Sequence, residues 1–168
     1  PWDVSPEALR VDELHVTAFR DYLACPFRYY LKRVLGMEPL DDRKNELDAL
    51  DFGILVHAAL QRLGENETLR VSTDAGAVSR FLGDVVERRI FAAYGPDLPV
   101  PARLALWSAR QRLSAAARVH VQAVREGWEM IAAEQRLSMP LGGVAVTGKI
   151  DRIDRHRETG TVRGLDYK

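Results

Sequence analysis

Sulfur is scarce in this chain: 168 residues hold a single cysteine, Cys25. One thiol excludes an internal disulfide framework and suits a reducing compartment, so a cytoplasmic location is expected. It also excludes an iron–sulfur cluster held by this chain alone, because such a cluster needs several thiolates, usually four. Long apolar runs are missing too. None approaches the ~20 residues that cross a bilayer, and the acidic, tryptophan-bearing start lacks the charged-then-apolar order of a signal peptide. Neither sign of charge is in excess: Lys plus Arg and Asp plus Glu number 24 each, for a formal net charge of zero. Whole-chain attraction to polyanions is thereby excluded, and any phosphate recognition must rest on local patches or on partner domains. Internal repeats and low-complexity tracts are absent.

What remains is the composition of a globular domain, 46% hydrophobic and 29% charged, and long enough to bury a core. Residues 1–14 read as an extended lead-in. Thr17 is expected to cap a helix carrying Phe19, Tyr22 and Leu23 on one face, and Pro26 to open a second helix over Phe27–Leu35, ended by Gly36. Met37–Asn45 reads as a loop. Apolar spacing then predicts helices over Glu46–Leu63, stopped by Gly64, over Asp74–Tyr94, closed by Gly95-Pro96, and over Ala102–Glu129. From Ala133 the period changes to that of strands, with turns at Pro140–Gly143 and Glu158–Gly160. The expectation is one domain over 1–168 with a mixed α/β fold: a mainly helical part over 1–130, then an antiparallel strand meander over 131–168. The aromatic residues of Tyr22–Tyr30 could stack on bases as in single-strand binders, but aromatics at helical spacing are more often core, and they are assigned there with Trp107 and Trp128. Leu55, Val56 and Leu60 are expected to pack the helix bearing His57.

The chemistry concentrates at Asp166-Tyr167-Lys168. In a strand, Asp166 and Lys168 share a face with Cα atoms about 7 Å apart, while Tyr167 points to the other side. If Arg157–Gly160 forms a four-residue loop with Gly160 left-handed, His156 pairs with Thr161, and the same register sets Asp151 opposite Asp166. Directly opposed residues have Cβ atoms about 5 Å apart. Two carboxylates that close repel each other unless a cation joins them, and oxygen ligands suit magnesium or manganese. A lysine beside them can orient an attacking water and stabilise charge on a phosphate, so the set points to metal-assisted phosphodiester hydrolysis. The competing reading makes Asp151, Asp166 and Lys168 solvated charges on an exposed face, where ion pairs contribute little. A one-residue slip of register turns Asp151 away. Arg152 and Arg155 read either as strand-edge charges or as phosphate contacts. Around the aromatic segment, Arg28, Lys32 and Arg33 are candidates for the same contact. His15, His120 and His156 fit packing or surface roles.

Taken in order, the motifs are Val16-Thr17-Ala18-Phe19 with Tyr22, then Cys25-Pro26-Phe27-Arg28-Tyr29-Tyr30-Leu31, then Phe52-Gly53 with His57. Glu134 follows, then Gly148-Lys149-Ile150-Asp151-Arg152-Ile153-Asp154, then Asp166-Tyr167-Lys168. Each alone is weak, but the ordered set resembles the PD-(D/E)XK nuclease superfamily, specifically the RecB-like exonuclease domain of AddB-type subunits of helicase–nuclease complexes. The resemblance implies a restriction-endonuclease-like core and a DNA exonuclease acting in recombinational double-strand break repair, with DNA and a helicase as partners. It implies His57, Asp151, Asp166 and the backbone carbonyl of Tyr167 as ligands of Mg2+ or Mn2+, Lys168 as catalytic lysine and Glu134 as a supporting residue. It also implies Cys25 as one ligand of a 4Fe-4S cluster in a longer parent chain. A chain that starts at Pro1-Trp2-Asp3 and stops on Lys168 is expected to be a piece of a longer protein, without the helix bearing Gln-x-x-x-Tyr that follows the lysine in the family. Two other readings stay open: an inactive nuclease fold used for DNA binding or scaffolding, and a hydrolase applying the same metal chemistry to other substrates.

Overall fold

Small and branched apolar residues spaced three and four apart build the helical core. The computed structural model describes residues 12–37 and 49–167. Within them the chain forms two compact units, one drawn from Pro1–Leu40 with Arg136–Lys149, the other from Asp41–Gln135 with Ile150–Lys168.

The second unit is led by helices α3 (Ala49–Glu65), α4 (Ala75–Tyr94) and α5 (Val100–Arg125). Helix α4 buries Val78, Leu82, Val85, Val86 and Ile90, and α5 answers with Ala102, Leu106, Ala109, Leu113, Ala117 and Val121. Full burial of each larger side chain contributes about 1.5–3 kcal/mol. Asp74 starts α4 by accepting from the N–H groups of Gly76 (2.8 Å) and Ala77 (3.0 Å), and Gly95, at φ 77°, ends it. These two backbone donors, Ala77 first, hold the Asp74 carboxyl below its ordinary pKa.

Two helix ends differ from the sequence reading. Gly64 does not stop α3, which runs on to Glu65. Its missing side chain instead admits strand β2 (Trp128–Leu141): a Cβ there would lie 2.7 Å from Ala133 Cβ and 2.9 Å from Met130 Sδ. Helix α5 ends at Arg125 rather than Glu129, because Gly127 at φ 90° reverses the chain into β2. Trp128 and Glu129 therefore belong to the sheet. Strand β3 (Val144–His156) pairs antiparallel with β4 (Val162–Leu165) in the register Arg152↔Leu165 to Arg155↔Val162. One step further His156 N–H donates to Thr161 O at 2.8 Å, and Gly160, at φ 70°, closes the loop with its N–H on His156 O.

In the first unit β1 (Glu13–His15) pairs parallel with residues 145–147 of β3, so the sheet, ordered β1-β3-β2 with β4 also on β3, is mixed rather than a pure meander. Gly142 and Gly143, both at positive φ, form the two-residue turn between β2 and β3. Helix α1 (Val16–Ala24) is capped by His15, whose Nδ1 accepts from Thr17 N–H at 3.3 Å, not by Thr17 itself. Pro26 opens α2 (Pro26–Tyr29), which continues as a π-helical turn over Tyr30–Val34. The inward face of α1 holds Ala18 and Asp21, and Asp21 receives Arg33 Nε (2.9 Å) and Lys32 Nζ (3.1 Å). Arg33 and then Lys32 lower the Asp21 pKa. With that face given to an ionic anchor, the large residues turn outward: Tyr22 is 54% exposed, Phe27 69% and Leu23 82%. The assignment of Tyr22 and Phe27 to the core is corrected, as is that of Trp107, which is also exposed.

Among the described residues no helix is long and apolar enough to cross a membrane. Residues 1–11 of the lead-in, the loop beyond Met37, Glu46–Asp48 and Lys168 lie outside the described residues.

Candidate metal centre

Helix α3 carries His57 beside Val56, which packs against the helical core. The imidazole keeps 32% of its side chain exposed, while the two carboxylates that meet it are nearly enclosed, Glu134 at 7% and Asp151 at 11%. His57 Nδ1 stands 3.1 Å from Glu134 Oε1 and 3.3 Å from Asp151 Oδ1. The other oxygen, Asp151 Oδ2, accepts the Tyr167 N–H at 2.7 Å, and the Tyr167 ring stands edge-on to His57 with centroids 5.8 Å apart. Tyr167 thus stays in contact with the cluster through its ring and its amide N–H. Burial raises its phenol pKa.

Glu134 reaches the cluster through an unusual backbone. Its φ of 53° makes it the one non-glycine residue at positive φ among the described residues, inside strand β2. Such a conformation is uncommon outside glycine and breaks the strict alternation of a strand, which re-aims the side chain. Strain of this kind, of order 1–3 kcal/mol, persists where surrounding contacts over-determine it. Nothing in residue spacing announces it, so the sequence gives Glu134 only a supporting part, whereas the structure makes it a full member.

One donor atom from each of His57, Glu134 and Asp151 lies within 4.8 Å of the others, the spacing of ligands around one divalent cation. The chemistry fits as well: two adjacent, desolvated carboxylates repel each other unless a cation joins them, and imidazole with carboxylate oxygens is a ligand set for such an ion. Asp166 is not one of these three. It is exposed and follows the last paired residue of β4, at the position that continuation of the register sets opposite Asp151.

The family model for the PD-(D/E)XK nuclease superfamily matches residues 13–168. The chain belongs to that superfamily. No curated protein matches it. In this PD-(D/E)XK chain Asp166-Tyr167-Lys168 has the Asp-x-Lys spacing, and Asp151 lies on the neighbouring strand β3. Arg152, a candidate phosphate contact by sequence, is only 5% exposed and is engaged with Asp154 and His120, which removes it from the surface. Arg28 is exposed, and Lys32 is exposed but tied to Asp21. Cys25, half-buried between α1 and α2, offers one thiol, and no observation supports a cluster on it. His15 caps α1, His156 Nε2 meets Glu126 O at 2.9 Å, and His120 is buried. Burial, followed by the charge of Arg152, lowers the His120 pKa.

Proposed function

We propose that the protein is a RecB-like nuclease domain, a magnesium- or manganese-dependent DNA exonuclease that works with a helicase subunit or domain in cytoplasmic double-strand break repair. The observation that carries this reading is the convergence of His57, Glu134 and Asp151 in a PD-(D/E)XK chain. When bound, the divalent cation supplies Lewis-acid stabilisation of the scissile phosphate. Glu134 and Asp151 hold it with His57 as third donor, and the Tyr167 N–H fixes the tilt of the Asp151 carboxylate. Asp166 adds a further carboxylate from across the hairpin, with the Tyr167 carbonyl beside it. Lys168 orients the attacking water and offsets charge developing on the phosphate. Arg28 and Lys32 contact the DNA backbone.

The test combines manganese calorimetry with cleavage of labelled single- and double-stranded DNA by the full-length protein. Asp151→Ala is expected to abolish cleavage and weaken manganese binding. Full cleavage by that variant sinks the site, and absence of manganese binding in the parent favours a non-catalytic DNA-binding or scaffolding module.

A further inference from the structure

Behind the metal ligands lies a buried set of charges that the proposed chemistry does not use. Asp154 is fully buried and Arg152 nearly so. Arg152 Nε donates to Asp154 Oδ1, while Arg163 Nε and Nη2 donate to Asp154 Oδ2 at 3.1 and 2.9 Å. Arg163 is the direct cross-strand partner of Asp154 in the β3–β4 register. Its guanidinium lies over the Trp128 ring of β2, 3.9 Å from the centroid, and Arg152 Nη1 meets His120 Nδ1 of α5 at 3.1 Å. Asp154 is thus tied to three strands and a helix. Arg152 Nη2 is buried without a geometric hydrogen-bond partner.

A hydrophobic set would fill this space at no desolvation penalty, and removing a whole buried ionic set is often neutral or stabilising. The best-attested use of such groups is to fix register. The β3–β4 register is what brings the Tyr167 N–H onto Asp151 Oδ2, since a slip of β4 by one residue carries Tyr167 off that carboxylate. We infer that Arg152, Asp154 and Arg163 form a register lock, positioning residues that act through β3–β4 pairing and through Tyr167 to aim the Asp151 carboxylate at His57 and Glu134. A slipped pairing sets Asp154 opposite a residue other than Arg163 and leaves buried charges unmatched, which the native pairing alone avoids. The inference rests on the metal-site reading above for its consequence, but not for its geometry.

The test replaces the whole lock in the full-length protein, Arg152→Met with Asp154→Leu and Arg163→Met, and follows two readouts. One is manganese affinity; the other is hydrogen exchange of the Tyr167 amide, which reports its bond to Asp151 without need of metal or activity. The variant is expected to stay folded by circular dichroism, to bind manganese about 10–100-fold more weakly, and to exchange the Tyr167 amide faster. A folded variant with parental manganese affinity and parental exchange overturns the lock. Should the triple variant not fold, Arg163→Met alone decides: faster exchange at Tyr167, reversed by Arg163→Lys, supports the lock, and unchanged exchange overturns it. If the parent binds no manganese, the metal reading fails by itself while the amide readout still decides the register.

Discussion

Glu134 carries more of the site than its place in the sequence suggests. Its left-handed backbone brings a nearly enclosed carboxylate to within 3.1 Å of His57. Glu134→Ala is therefore expected to lower manganese affinity by at least about 10–100-fold, the range seen for residues one shell further out, with little change in folding by circular dichroism. Calorimetry checks it, and parental affinity would return Glu134 to a supporting role. His120 makes a second residue-scale prediction. Its pKa is lowered by burial and by Arg152, so the folded protein keeps the ring neutral while the unfolded chain takes up a proton below 6.5. The unfolded state then binds more protons, and stability rises with pH in that range. The His120 contribution is complete above 6.5 and falls away as pH drops through the lowered folded value. Urea midpoints measured from pH 8 to 5 are expected to fall less steeply for His120→Gln than for the parent.

Between elements, the closest fit is that of α3 on β2 at Gly64. Gly64→Ala gains about 1 kcal/mol of helix propensity but drives a methyl into Ala133 and Met130, an overpacking that costs about 1–3 kcal/mol. Met130 can yield, whereas Ala133 is held by its backbone, so the net expectation is destabilisation of about 1 kcal/mol by urea titration, alongside weaker metal binding from displacement of the nearby Glu134. The hairpin shows what sequence can convey about elements. A four-residue loop with glycine at its end fixes one register, and the expected His156–Thr161 pair is the one observed. The helix opening at Pro26 and the closures at Gly95 and Gly160 were equally legible, because each rests on local backbone chemistry. Outcomes decided by tertiary contacts were not. The parallel pairing of β1, the outward turn of Tyr22 and Phe27, and the burial of Arg152 depend on partners distant in sequence. The positive φ of Glu134 has no residue-type signal at all, since glutamate rarely adopts it.

Across the molecule, a PD-(D/E)XK superfamily chain of zero formal net charge carries a cluster of side chains whose chemistry suits a divalent cation. The buried ionic set ties that chemistry to the fold. Asp154→Ala leaves Arg152 and Arg163 without their shared anion and is expected to destabilise the protein by about 3–5 kcal/mol, read from denaturant midpoints. A loss below about 1 kcal/mol, typical of surface ion pairs, would show that solvent reaches these groups. The central claim, that His57, Glu134 and Asp151 form one divalent-cation site, has a direct measurement: manganese titration of the full-length protein and of its Asp151→Ala variant by calorimetry. Saturable binding in the parent, weakened about 10-fold or more in the variant, is expected. Equal binding by both proteins, or none by the parent, would contradict it.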